Sequence, residues 1–209
     1  MRTKQDVVII NYGMGNVGSV ANMLKHIGCN AILSNNIKDI EKADKLILPG
    51  VGHFSKAMEN LKEYDLLDVI TNKAMTDKTP LLGICLGMQL LCKSSEEGHV
   101  NGIGLINAKV KKFDFSEEKN LKIPHMGWNI TNVIRSKESI FKDIAKPARF
   151  YFVHSYYVEC DEEDIILTDT VYGHSFTSAF SKDNIFGVQF HPEKSHQYGI
   201  TLFENFLKL

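Results

Sequence analysis

The chain has 209 residues, 44% hydrophobic and 23% charged, globular averages that exclude a disordered tail, a collagen-like fibre and a coiled coil. With 24 Lys+Arg against 25 Asp+Glu the formal charge is −1, so no global field draws phosphate backbones or anionic lipid, which argues against nucleic acid and membrane surfaces as partners. No apolar run approaches the ~20 residues of a membrane-spanning helix, Met1 to Asp6 is too short and polar for a signal peptide, and Cys29, Cys85, Cys92 and Cys160 lack a CxxC pair, which together predict a cytoplasmic protein with reduced thiols.

In chain order, the β-branched run Val7 to Ile10 predicts a buried strand. Val17, Val20, Ala21, Leu24 and Ile27 then lie on one helical stripe that Gly28 stops. Strands at Ala31 to Leu33, Lys45 to Leu48 and Pro80 to Ile84 follow, the last two separated by a helical stretch from about Ser55 to Thr76. From Leu105 the texture changes to alternation with aromatics: Ala108 to Phe113, Asn129 to Ile134, Phe150 to Val158, Ile165 to Val171, Ser175 to Phe180 and Ile185 to Phe190 read as antiparallel or mixed strands. A helix from about Gly199 to Lys208 closes the chain. The order predicts an α/β fold, a mostly parallel or mixed central sheet with helices on both faces plus a smaller antiparallel sheet. With no linker or repeat, residues 1–209 form one domain.

Three glycine-containing turns follow strands. Gly13 to Gly18 fits GxGxxG, but the ribose-binding acid expected about 20 residues on is replaced by Ser34-Asn35-Asn36, so a tight strand-to-helix connection is the better reading. Gly83-Ile84-Cys85-Leu86-Gly87 resembles a nucleophile elbow with sulfur for oxygen. Such a corner strains the backbone at the nucleophile, requires small neighbours two residues either side, and favours a thiolate at the helix N-terminus. The Leu86 N–H is then an oxyanion donor at Cys85, while Cys92, seven residues on along the same helix, reads as merely buried. Pro49-Gly50-Val51-Gly52 ends the third strand beside the elbow, and Gly50, Val51 and Gly52 offer a second oxyanion donor.

A thiol nucleophile needs a base. Most of the eight histidines read as surface residues, but His191 ends the buried strand 185–190 and is followed by Pro192-Glu193, which holds both polar side chains in an extended turn at the sheet's C-terminal edge, where α/β sheets bind ligands. Glu193 accepting from one ring nitrogen leaves the other for Cys85: a Cys-His-Glu triad. One Cys, one His and one Glu offer no structural-zinc spacing, so no metal or cofactor is expected.

Gly83 to Gln89 with His191-Pro192-Glu193 resembles the class I (triad-type) glutamine amidotransferases, a flavodoxin-like fold, over nearly the whole chain. Within that family, Asn11 to Asn16, Pro49 to Gly52, Pro124 to Asn129, Phe152 to Tyr156 and His191 to Ser195 are similar, in order, to the glutaminase subunits of imidazole glycerol phosphate synthases. The resemblance implies that Cys85 attacks the side-chain amide of L-glutamine, with His191 and Glu193 as its partners. It further implies substrate contacts at Gln89, Glu97, Ser155 and Tyr156, although Ser94 to Glu97 by itself reads as a solvated helix end. The ammonia would pass to a separate (β/α)8-barrel cyclase in a heterodimer, for histidine synthesis, through an interface at Tyr12, Asn16, Met126, Trp128 and Lys194. Trp128 equally suits a half-buried sheet position, and Asp161 to Asp164 reads as a solvated turn. Similar glutaminase subunits also serve other synthases, such as ones that amidate sugars.

Overall fold

The computed structural model describes residues 6–116, 121–135 and 140–209. The first half alternates as expected: β1 (Val7–Ile10), α1 (Val17–His26), β2 (Ile32–Ser34), α2 (Ile37–Lys42), β3 (Lys45–Gly50), α3 (Phe54–Glu63), α4 (Leu66–Met75), β4 (Leu81–Cys85) and the five-residue α5 (Leu86–Leu90). The second half runs β5 (Cys92–Ser95), β6 (Val100–Asn101), β7 (Ile106–Lys112), β8 (His125–Val133), β9 (Ala148–His154), β10 (Tyr156–Cys160), β11 (Ile166–Tyr172), β12 (His174–Lys182), β13 (Ile185–Val188) and α6 (His196–Phe206).

Strands β2-β1-β3-β4-β13 are parallel in that order, and β12, β10 and β7 continue the sheet antiparallel. Because side chains alternate along a strand, Val8, Ile10, Leu46 and Leu48 face one way and pack with Ile40, Phe54, Leu61 and Ile70 of α2 to α4. Val7, Ile9, Ile47 and Leu82 face the other way and pack with Val20 and Leu24 of α1 and with Leu202, Phe203 and Phe206 of α6. Burial on both faces explains the unbroken apolar runs of the first strands. The expected smaller antiparallel sheet, β9-β8-β11, is hydrogen-bonded to the large one through β12 rather than separate.

Several boundaries differ from the sequence reading, each for a local reason. The stretch from Ser55 to Thr76 is two helices, broken where Asp65 takes a left-handed φ of 54°. Helix α2 is the one that strand–helix alternation requires between β2 and β3, although the sequence reading assigned it no residues. Its six residues are too few for a periodic stripe, although its N-cap, Asn36, accepts from Lys38 N at 2.9 Å. The helix after the elbow ends at Leu90, so Cys92 is not on it: it opens β5, fully buried, with its sulfur 3.6 Å from the Met88 carbonyl. Likewise Ser94 to Glu97 is strand and turn instead of a helix end. The run from Phe150 to Val158 breaks at Ser155, where the chain leaves its partner β8 and joins β7. The strand expected from Asn129 begins at His125, and the closing helix begins at His196.

Candidate active site

The parallel register brings three strand ends to one edge: Gly50 lies beside Cys85, and Gly187 and Val188 beside Gly83 and Ile84, so the segment that follows β13 passes the elbow. Cys85 has φ 53° and ψ −109°, a backbone conformation that side-chain-bearing residues rarely adopt. The glycines around it are required by contact. A Cβ on Gly83 would stand 2.8 Å from the Gly87 and Met88 backbone, and one on Gly87 would collide with the Leu48 carbonyl. Helix α5 can therefore fold tightly back over β3 and β4, holding the sulfur at the strained corner.

His191 is almost wholly buried, and its Nδ1 lies 2.8 Å from Glu193 Oε1, with both side chains 1% exposed. Backbone bonds fix the turn: His191 N donates to the Tyr151 carbonyl at 2.8 Å, and the Ser195 hydroxyl donates to the His191 carbonyl at 2.6 Å. Burial pushes the imidazolium toward deprotonation, but the charge of the Cys85 sulfur, then Glu193, act more strongly in the other direction and raise it to about 10. His191 Nε2 is buried without a hydrogen bond of ordinary geometry, so the sulfur acts on the ring through charge and proximity. Folding thus favours the imidazolium. The stability it contributes is complete below its ordinary value of 6.5 and is lost as pH rises through about 10. Melting temperatures between pH 6.5 and 10.5 are expected to fall more for the native chain than for Cys85→Ala, which lacks the strongest raising charge. Parallel curves would refute this coupling.

A cavity of about 300 Å³ opens over the sulfur, lined by Val51, Gly52, Cys85, Leu86, Gln89 and Glu97 on one side and by Pro124 and residues 153–156 on the other. All four expected glutamine contacts, Gln89, Glu97, Ser155 and Tyr156, therefore border it. Glu97 is anchored there because its Oε2 accepts from Phe54 N, at the start of α3, at 2.8 Å. Gln89 points inward, donating to the Tyr156 carbonyl at 3.1 Å and to Gln189 Oε1 at 2.9 Å. Leu86 begins α5, Gly50 ends β3 beside Cys85, and Val51 and Gly52 line the cavity.

The expected interface residues divide. Met126 and Trp128 are exposed, 62% and 40%, on one side of β8, with Trp128 stacked on His196 at 5.5 Å. Lys194 is exposed beside Tyr151, and Asn16 is half-buried at the start of α1. Tyr12 is not an interface side chain: it is 0% exposed and its hydroxyl donates to the Pro49 carbonyl at 2.8 Å, because the ring fills the space under the 49–52 loop. Burial, then the charge at Cys85, keep that hydroxyl protonated. The turn with the GxGxxG pattern packs on the same loop, since a Cβ on Gly15 would approach the Pro49 and Gly50 backbone at 3.3 Å.

Sequence reasoning missed His125, His154 and Gln189. Both histidines, which the sequence reading did not single out, are buried, with His125 Nδ1 2.9 Å from His154 Nε2. Their signal was alternation, since each sits on the inward side of its strand.

Parallel strands ending at a strained thiol, with a carboxylate-held imidazole electrostatically coupled to it at the same edge, define an α/β protein with a candidate thiol nucleophile site. The family described as Glutamine amidotransferase class-I matches residues 8–209, and the chain belongs to it. The chain is 56% identical over 202 residues to the imidazole glycerol phosphate synthase subunit HisH 2 of Methanococcus maripaludis, covering 97% of this chain and 98% of that one. It is 46% identical over 203 residues to the subunit HisH 2 of Pseudomonas aeruginosa, covering 97% and 99%. In fold it is similar to the solved structure of PurLQS from Thermotoga maritima, with a TM-score of 0.75 at 16% identity and 99% of each chain covered.

Proposed function

We propose that this chain is the glutaminase subunit of an imidazole glycerol phosphate synthase, one domain over residues 1–209. It hydrolyses L-glutamine and delivers ammonia to a (β/α)8-barrel cyclase subunit in a cytoplasmic heterodimer for histidine synthesis. The observation that carries this reading is the buried His191–Glu193 pair, 2.8 Å apart, at the sheet edge that also carries the strained Cys85. Near-full-length similarity to subunits that bear the synthase name supports the choice of partner.

In this reading the Cys85 sulfur attacks the side-chain carbonyl carbon of glutamine. The oxygen's charge is taken by the Leu86 N–H and an N–H of the 50–52 loop. His191 gives its Nε2 proton to the leaving nitrogen, and ammonia departs as the glutamyl thioester forms. His191 then takes a proton from water as the water oxygen attacks the thioester. The carbon–sulfur bond breaks and glutamate leaves. Throughout, Glu193 holds the imidazole through Nδ1. Glu97 suits the α-ammonium of glutamine, with Gln89, Ser155 and Tyr156 completing the pocket.

The test is to copurify the native partner and identify which ammonia acceptor the complex consumes when supplied with glutamine. Consumption of the phosphorylated aminoimidazole-carboxamide ribonucleotide is expected; amidation of a sugar instead would overturn the assignment of synthase. Met126, Trp128 and Ile130 share the outer side of β8 as exposed apolar residues, a surface suited to a partner. Trp128→Ala is expected to weaken partner binding by about 2 kcal/mol, and Lys194→Ala by less, with little change in melting temperature. Titration calorimetry beside thermal melting checks this, and unchanged affinity in Trp128→Ala would remove that residue from the interface.

A further inference from the structure

Gln189, between β13 and His191, is completely buried, and its side-chain nitrogen lies 3.6 Å from the Cys85 sulfur. The two ends of a side-chain amide are told apart by their partners, and here the partners leave one arrangement. The Tyr156 carbonyl can only accept, so Gln89 turns its NH2 group toward it at 3.1 Å. The same NH2 group donates to Gln189 Oε1 at 2.9 Å. With its oxygen committed, Gln189 must aim its own NH2 group at the sulfur.

The order extends the other way. The Tyr156 carbonyl also accepts from His154 Nδ1 at 2.8 Å, so His154 Nε2 is an acceptor and takes the proton of His125 Nδ1 at 2.9 Å. His125 Nε2 in turn accepts from Asn129 Nδ2 at 3.2 Å. Burial lowers His154 to about 3 and His125 to about 4, so both rings are neutral, as a chain of single donors and acceptors requires. Two runs of hydrogen bonds thus meet as donors on the Tyr156 carbonyl, one from Asn129 through His125 and His154, the other from Gln89, which also orients Gln189 toward the sulfur.

We propose that Gln189 is a further catalytic residue, whose amide N–H holds and stabilises the Cys85 thiolate and whose aim is set by Gln89, itself oriented by the Tyr156 carbonyl. Only a thiol can donate to the Val153 carbonyl, the sulfur's other polar neighbour at 3.9 Å, whereas the Gln189 bond strengthens when the sulfur becomes an anion. The proposal rests on Cys85 as the nucleophile.

The test follows Cys85 alkylation by iodoacetamide against pH in the full chain, read by peptide mass spectrometry, so it needs neither glutamine nor a partner. Gln189→Glu keeps the shape and the acceptor for Gln89 but sets an oxygen against the sulfur; Gln189→Leu removes the amide and gives a second reading if one variant does not fold. The titratable groups acting on the sulfur, His191 from the turn after β13 and Tyr12 from the turn after β1, remain in both variants. Alkylation at pH 7 is expected to fall about tenfold with the profile displaced to higher pH, and kcat for glutamine to fall with KM within about twofold. A native alkylation profile in either folded variant overturns the proposal, as does a raised KM with unchanged kcat, which would make Gln189 a glutamine contact. If the native chain hydrolysed no glutamine at all, the glutaminase reading would fall while the alkylation result stood.

Discussion

Cys85→Ala is expected to lower glutamine hydrolysis by on the order of 10⁵-fold while the chain keeps its fold. The magnitude follows from Cys85 being the one thiol among the described residues that line the cavity, where removing the attacking atom leaves only binding and oxyanion contacts. Stability is expected to change little above about pH 10, with the melting temperature within about 3 °C, because there the charge coupling to His191 is gone and the sulfur's hydrogen bonds are long, 3.6 Å to Gln189 and 3.9 Å to Val153. The strain at φ 53° stays, since alanine carries a Cβ as cysteine does. Glutamate release measured with partner present, beside a thermal melt, decides the matter. Turnover unchanged in a folded variant would remove Cys85 from the chemistry.

The residues of the site were legible where backbone geometry constrains sequence. Gly83 and Gly87 are glycine because a Cβ would strike the folded-back helix, so the elbow showed itself in five letters. His191 and Glu193 were legible because proline fixes the turn that carries them. Glu97 was not, since nothing in Ser94 to Glu97 tells that its carboxylate caps the start of α3, 43 residues away in sequence. Gln189, His125 and His154 escaped for the same reason: each is a buried polar residue, the histidines in strands and Gln189 just after one, whose partner comes from a distant element, and pairings between distant segments leave no local spacing. In the fold, the parallel half was read from apolar runs buried on both faces. The breaks at Asp65 and Ser155 were not, because each depends on the neighbour the chain meets next. Tyr12 was misplaced because its turn reaches the surface while its ring turns beneath the 49–52 loop.

That placement of Tyr12 bears on the second large effect. The turn of residues 13–16 and the 49–52 loop are one packed unit: the Tyr12 hydroxyl holds the Pro49 carbonyl, Gly15 abuts the Gly50 backbone, and the Met14 side chain occupies the space a Cβ on Gly52 would need. Val51 nevertheless remains 39% exposed, and Gly52 has a φ of 117°, so the peptide units between them can turn where most residues could not. A partner seated on the 13–16 turn and on the outer side of β8 would press on this unit and bias which N–H group faces the oxygen of the reacting amide. One oxyanion donor is worth about 10²–10³ in kcat. The isolated chain is therefore expected to hydrolyse glutamine slowly, and the partner subunit to raise kcat by roughly that factor with a smaller change in KM. Steady-state glutamate release with and without saturating partner measures it, and equal kcat values would show that the second donor is already in place in the chain alone.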